Sequence, residues 1–295
     1  MSKTASKILI VLAFIAIYFI WGSTYMLNKI AVEELPPLML SSFRFTAASI
    51  LIFIIARIMK LSLAITKKQL LNTSFVGFLF LVYGNGVFVW ALKYLDSGFA
   101  ALLASTQPLF VLLLMRIIDK KKMKPKSIIG VVLGFVGMYL LVSQKELSFE
   151  AGSSIGVIMI LTCVLGWSYA SIFVSKADLP SNYFISTGYQ MLIAGLMLAC
   201  FSLCFNETWI APTNWSGKVQ LAVILLIIFG GIVAFTAFNY LLKNVSPEKV
   251  ATSAYVNPLI ALFLGWYMLN ESLSLQSVFS ALVLLTGVYF ITSKK

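Results

Sequence analysis

KYLDSGFAALLASTQP, Lys93 to Pro108, recurs in altered form as KNVSPEKVATSAYVNP, Lys243 to Pro258. The offset of 150 positions runs without a gap to the C-terminus, carrying Leu109 onto Leu259, Leu112 onto Leu262, Gly137 onto Gly287 and Tyr139 onto Tyr289. Nearer the start an offset of 146 carries Trp21 onto Trp167 and Arg44 onto Gln190. Apolar sequences align readily with one another, so the weight rests on the shared Lys, amide-Pro, Gly and Tyr positions. The chain reads as a duplication, residues 1–146 followed by 147–295. Internal repeats of this size point to a two-repeat transporter with its substrate site at the repeat interface near mid-membrane.

Composition narrows the class. Apolar residues make up 60% and charged residues 11%, with a mean hydropathy of +0.97, which is a polytopic membrane protein rather than a soluble domain. The net charge of +12 falls in short stretches between hydrophobic spans and not in a nucleic-acid motif, so no nucleic-acid partner is expected. His is absent, and Cys163, Cys200 and Cys204 lie within apolar runs, a pattern of core packing that leaves no metal site, cofactor or disulfide framework to expect. The run from Ile8 to about Leu27 begins like a signal peptide but has no small-residue cleavage site, and reads as a retained helix.

Ten apolar stretches can each cross a bilayer core of ~30 Å. Their approximate bounds are 8–27, 36–56, 70–92, 97–118, 127–144, 154–175, 183–205, 218–241, 248–269 and 275–292. The fold expected is all-α, with ten transmembrane helices as two five-helix repeats. Of the 22 Lys and Arg, only Lys29, Lys93, Lys145 and Lys218 fall on the side away from the N-terminus, and Arg44 lies inside a span. Both termini are therefore expected to be cytoplasmic. Five is an odd number, so the second repeat enters from the opposite side and the repeats are inverted. Lys93 then faces outside and Lys243 inside, as paired hinge segments suited to alternating access. The run DKKKMKPK, from Asp119 to Lys126, reads as a cytoplasmic topology anchor, with anionic lipid contact left open. The Asn-x-Ser/Thr triplets at Asn206, Asn214 and Asn270 are expected to face outside, but such triplets occur by chance and do not establish a secretory-pathway host.

The informative polar residues are those inside spans. All ten acidic residues fall in loops or at span ends, so no mid-membrane carboxylate is present for a proton relay, and no acid-base set for an embedded enzyme. Arg44 costs roughly 2.5–3.5 kcal/mol to insert and needs compensation. Either it caps carbonyls or packs on Gln190, its repeat partner, or it grips a substrate carboxylate in a cavity. The stretch WGSTY, with Trp21 and Tyr25, has Trp167-Ser168-Tyr169 in the matching place of the sixth span, two aromatic and hydroxyl clusters fit to line a cavity or to form an interfacial belt. Gly22 and Gly166 permit close helix approach. Gln107-Pro108 and Asn257-Pro258 each set an amide beside a carbonyl that proline leaves without its donor, as a binding element or a plain kink. Tyr83, Asn85, Trp90, Asn239, Tyr240 and Tyr255 join the same lining or serve as interhelical glue.

The run IWGSTYMLNKIAVEELPPLMLSSFRFTAA, Ile20 to Ala48, together with GNGVFVWALKYLDSGFAALLASTQPLF and NVSPEKVATSAYVNPLIALFLGWYMLNESL, resembles the drug/metabolite transporter superfamily, in particular its ten-helix EamA-type exporters. The resemblance covers nearly the whole chain. It implies two inverted five-helix repeats around a central cavity and export of amino acids, other metabolites or drugs across the bacterial inner membrane. By motif it carries cavity roles onto Trp21, Tyr25, Arg44, Gln107, Trp167 and Asn257. One departure concerns the acidic turn that closes the fourth and ninth spans of many relatives: Asn270-Glu271 keeps it, whereas Asp119-Lys120 does not. The expectation is an alternating-access exporter of small organic solutes, amino acids or related metabolites, embedded in the inner membrane, for which a monomer suffices and a homodimer is left open. The alternatives are a proton-coupled multidrug antiporter or a metabolite importer, and further off a membrane-embedded enzyme or a scaffold.

Overall fold

The computed structural model describes residues 3–118, 120, 125–143, 152–251 and 253–292. Among them the secondary structure is helical, with no strand. Seven helices are long and apolar enough to cross a membrane: α1 (Lys7–Glu34), α2 (Pro37–Ile58), α3 (Lys67–Ala91), α4 (Ser97–Ile118), α6 (Ser153–Lys176), α7 (Tyr183–Cys204) and α8 (Gly217–Asn244). Shorter apolar helices are α5 (Pro125–Val142), α9 (Ser253–Leu269) and α10 (Leu275–Thr292). The chain is an all-helical polytopic membrane protein, the form that satisfies every backbone group within its own segment where water is absent. The join between residues 146 and 147, Tyr255's side chain, Asp119 and residues 121–124 of the basic run lie outside the described residues.

Two boundaries differ from the hydropathy reading. α1 runs seven residues past Leu27, because the polar pair there has partners or cover in the protein: Asn28 is buried, and Lys29 Nζ donates to the carbonyls of Leu92 (2.8 Å) and Leu95 (3.1 Å). The ninth apolar stretch is interrupted, with a four-residue helix, Pro247–Val250, ahead of α9. The expected hinge lysines also differ in setting: Lys93 is exposed in the turn after α3, while Lys243 donates to the Ala177 carbonyl at 2.7 Å.

Helix starts show why the chain folds where it does. Thr66 and Gln69 form a capping box for α3, Asn182 Oδ1 accepts from the Phe184 and Ile185 amides, and Ser216 Oγ accepts from Val219 N. On the face where α2, α4 and α8 begin, three glutamates complete those ends. Glu207 accepts from Leu38 N (3.2 Å) and Met39 N (2.7 Å), Glu271 from Ser97 N (2.8 Å) and Gly98 N (3.0 Å), and Glu34 from Ser216 N (3.1 Å) and Ser216 Oγ (2.6 Å). Carboxylates suit helix N-termini, where unpaired amides and the helix dipole favour negative charge. Each of the three joins the first half of the chain to the second.

Close crossings need glycine. A Cβ on Gly137 would lie 2.7 Å from Leu284 N, and one on Gly287 would lie 2.7 Å from Gly134 N, so α5 and α10 meet backbone to backbone. Three helices depart from α geometry into π-helical stretches: Ala16–Ile20 in α1, and ten residues each in α3 (Phe78–Val87) and α8 (Leu226–Phe235). Such widened turns recur at functional sites.

Candidate functional site

A cavity of about 120 Å³ lies at the centre of the bundle. Among the described residues eight helices wall it, and α5 and α10, packed on each other, contribute none of the lining. From α1 it receives Trp21, Thr24, Tyr25 and Asn28, the i, i+3, i+4, i+7 set that forms one helical face. Arg44 and Phe45 come from α2, Gly84, Asn85 and Phe88 from α3, and Ser105 and Gln107 from α4. Opposite stand Cys163 and Trp167 of α6, Met191 of α7, Phe235 of α8 and Asn257 of α9. Ala104 and Ala254, whose carbonyls Pro108 and Pro258 cannot serve with an N–H, also line it.

Arg44 is 4% exposed. Its Nη2 donates to Asn85 Oδ1, its guanidinium carbon lies 4.4 Å from the centroid of the Phe45 ring, and its Nε has no partner. The contact with Gln190 expected from repeat symmetry is not made. Gln190 instead donates to Ser186 Oγ (3.1 Å) and Asn239 Oδ1 (3.3 Å), and Asn239 Nδ2 to Thr187 Oγ1 (3.1 Å), tying α7 to α8 away from the cavity. Among the described residues no acidic side chain lines the cavity, and the Arg44 guanidinium holds the one formal charge they bring to the wall.

The two amide-proline pairs behave differently. With Nδ2 facing them, Asn257 donates to the carbonyls of Tyr18 (2.8 Å), Ile17 (3.1 Å) and Ser253 (3.3 Å). Ile17 and Tyr18 belong to the π-helical turn of α1, so Asn257 clamps that turn from α9. Gln107 lines the cavity from α4, and the hydrogen bond at this residue, from Ser168 Oγ at 3.4 Å, goes to its backbone carbonyl.

Five rings close one end of the cavity. Trp21 stands edge-on to Trp167 at 5.7 Å, Phe80 lies 4.7 Å from Trp167, and Phe238 lies 4.8 Å from Trp21 and 5.4 Å from Phe80, with Phe235 within 6.5 Å of all four. Phe80 and Phe238 sit nearer the Lys67 and Asn244 ends of their helices than the lining residues do, so the rings form a septum on that side. Gly84 makes room for it, since a Cβ there would lie 2.9 Å from Trp167 Cε3. Trp21 Nε1 donates to the Gly230 carbonyl at 3.3 Å, which fixes its ring. Gly22 allows close approach, its Cβ position lying 2.8 Å from Ile260 Cβ, whereas at Gly166 the nearest contact is an ordinary 3.4 Å to Tyr83.

Of the residues expected at the site, Trp21, Tyr25, Arg44, Asn85, Gln107, Trp167 and Asn257 line the cavity. Tyr83, Tyr169 and Gln190 do not. Tyr83 packs on α6, its carbonyl accepting from Cys163 Sγ at 3.2 Å, and Tyr169 is 39% exposed with its ring against Phe75. Helical geometry explains Tyr169: it is two residues from Trp167, on the opposite face. Asn28 was not singled out from the sequence, although the i+7 spacing from Trp21 marks it. Among the described residues no three His, Cys, Asp or Glu side chains are placed to hold a metal ion.

Comparison with known proteins follows the same lines. The model of the EamA-like transporter family matches residues 8–143 and 154–293. An uncharacterized inner membrane transporter of Escherichia coli (strain K12), YedA, is 38% identical over 96% of this chain and 92% of its own. An uncharacterized transporter of Bacillus subtilis, YoaV, is 23% identical over 96% of each chain. A protein crystal structure with 18% identity superposes with a TM-score of 0.71 over 99% of this chain and 97% of that one, a likeness of fold.

Proposed function

The chain belongs to the EamA-like transporter family of the drug/metabolite transporter superfamily, and from that premise we propose that it exports small organic solutes, amino acids or related metabolites, across a bacterial inner membrane by alternating access. The observation that carries the reading is the central cavity, walled by helices from both halves of the chain and holding polar groups part-way along apolar helices. Polar residues there are costly to bury and are kept where a solute passes.

In the proposed mechanism all ten helices cross the bilayer as two inverted repeats, with both termini in the cytoplasm. Four features support it: the family model matches two successive ranges, the amide-proline pairs both reach the cavity, α3 and α8 carry π-helical stretches of equal length, and α5 and α10 pair outside the cavity wall. The aromatic septum then lies toward the cytoplasm and the three glutamate-capped helix ends toward the outside. Rocking of one half against the other opens the septum as the glutamate face closes, and the reverse. A solute is held by Arg44, Asn85 and Gln107 with its apolar part against Trp21, Tyr25 and Trp167.

The test is efflux from proteoliposomes loaded with a mixed pool of amino acids, sugars, organic acids and cationic dyes, with and without a pH gradient. Loss of selected solutes from protein-containing vesicles, absent from empty ones, is the expected result. Dye movement that follows the pH gradient would favour a drug/proton antiporter, and no movement of any solute would refute transport of these classes.

A further inference from the structure

Resting on the transport role proposed above, we infer that the cavity selects a monocarboxylate bearing a hydrogen-bond donor on the adjoining carbon, with the carboxylate at Arg44 and the donor at Asn28, and that it rejects organic cations. Among the described residues the wall holds one guanidinium and no carboxylate. In a site removed from water a lone positive charge is stabilised by one negative charge and repels a positive one far more strongly than in bulk solvent. The charge match favours a monoanionic group over a phosphate, whose second charge would have no counterpart in the wall.

Among the described residues two fully buried side-chain atoms of this wall lack partners, and their chemistry is complementary. Arg44 Nε is a buried donor without an acceptor, and Asn28 Oδ1 is a buried acceptor without a donor. Both side chains are more than nine-tenths buried, at 4% and 5% exposure. Leaving either unsatisfied costs about 1–3 kcal/mol, more for the charged group, so a ligand that supplies both partners recovers that cost. A guanidinium already anchored by Nη2 on Asn85 and stacked on Phe45 is held in orientation, and presents Nε without further loss of side-chain freedom. The remaining wall, Trp21, Phe88, Trp167 and Phe235, takes an apolar body.

The experiment measures affinity of the purified protein, by tryptophan fluorescence and calorimetry, for two compound sets. One carries a benzyl body: phenylalanine, phenyllactate, 3-phenylpropionate, phenylalanine methyl ester and phenethylamine. The other carries the corresponding isobutyl body of leucine. The ester and the amine are expected to bind at least roughly tenfold more weakly than the acid with a donor, and removal of the donor alone to weaken binding severalfold. Arg44→Gln should bring the acid down to the level of the ester, with Arg44→Lys between the two. Asn28→Asp, which adds the missing negative charge, should weaken the acids and admit the amine. If Arg44→Gln does not fold, the wild-type series and Asn28→Asp carry the test. An amine that binds the wild type as tightly as its acid overturns the inference, as does failure of every carboxylate to bind. If the vesicle assay shows transport of sugars or cations and of no carboxylate, the transport reading stands and this one falls. If no solute moves while the carboxylates bind as described, the selectivity stands and the transport reading falls.

Discussion

Removing the carboxylate of Glu271 should open the cavity on the glutamate-capped face. Glu271 bonds two buried backbone amides, Ser97 N and Gly98 N, at the start of α4. Asp96, the N-cap residue of that helix, makes no side-chain cap bond to it. The carboxylate reaches α4 because Asn270, at φ 55°, turns the chain back at the end of α9, and because Gly265 has no Cβ, which would lie 2.2 Å from Glu271 Oε2. One turn away Gly98 and Leu262 pack so tightly that a Cβ on the glycine would lie 2.7 Å from Leu262 Cδ2. The clasp thus fastens α4 to α9, two walls of the cavity. Hydrogen bonds to a charged group contribute about 1.5–3 kcal/mol each, and water recovers part of that once the helix end is exposed. A net loss of about 3 kcal/mol for Glu271→Ala raises the open population roughly 100-fold, and Glu271→Gln, which keeps one acceptor oxygen, roughly tenfold. Cys163 is a native reporter: it lines the cavity and is 1% exposed. With Cys200 and Cys204, both exposed, replaced by Ser, the rate at which solubilised protein reacts with a maleimide follows the open population. Gly265→Ala should accelerate labelling like Glu271→Ala by displacing the same carboxylate. A Glu271→Ala rate within about twofold of the parent would refute the reasoning, since a clasp worth 3 kcal/mol cannot be lost so quietly.

The two amide-proline pairs should separate under mutation. Asn257→Leu should lower stability by about 1–2 kcal/mol in a thermal melt, because it leaves the π-turn carbonyls of α1 without their donor, whereas Gln107→Leu should leave the melt unchanged and alter solute affinity. Gly137→Ala should destabilise the α5–α10 pair by about 1–3 kcal/mol, while Gly134→Ala, whose Cβ would meet the Leu109 side chain at 3.5 Å (Cδ2) and 3.9 Å (Cδ1), should be tolerated; equal melts for the two would disprove the backbone-contact argument. Gly84→Ala should displace Trp167 and unseat the septum, read as faster Cys163 labelling together with leakier efflux; an unaltered labelling rate would show that the rings do not act as a closure.

What the sequence revealed followed from short-range rules. Hydropathy located the apolar helices, seven of them long enough to cross a membrane, and helical spacing put Trp21, Tyr25 and, one turn further on, Asn28 on one face. The same spacing distinguishes Trp167 from Tyr169, and Met191, which lines the cavity, from Gln190 about 100° around the helix. The rest depended on contacts between residues far apart in the chain. The end of α1 at Glu34 rests on Lys29 finding carbonyls more than sixty residues away, and the septum enlists Phe80, Phe235 and Phe238, which carry no polar mark to set them apart from core. The sequence placed the acidic residues in loops or at span ends, and the role of three of them became visible only with the amides they bind.

Two of those three glutamates, Glu207 and Glu271, also bear on how the protein is made. Chains are synthesised from the N-terminus, so α2 and α4 are inserted while Glu207 and Glu271 have yet to leave the ribosome. The amides of Leu38, Met39, Ser97 and Gly98 wait more than 160 residues of synthesis for their acceptors. The first half is therefore an unfinished object during biogenesis, with its helix ends open to solvent or insertion machinery, and it acquires its final form only when the last helices arrive.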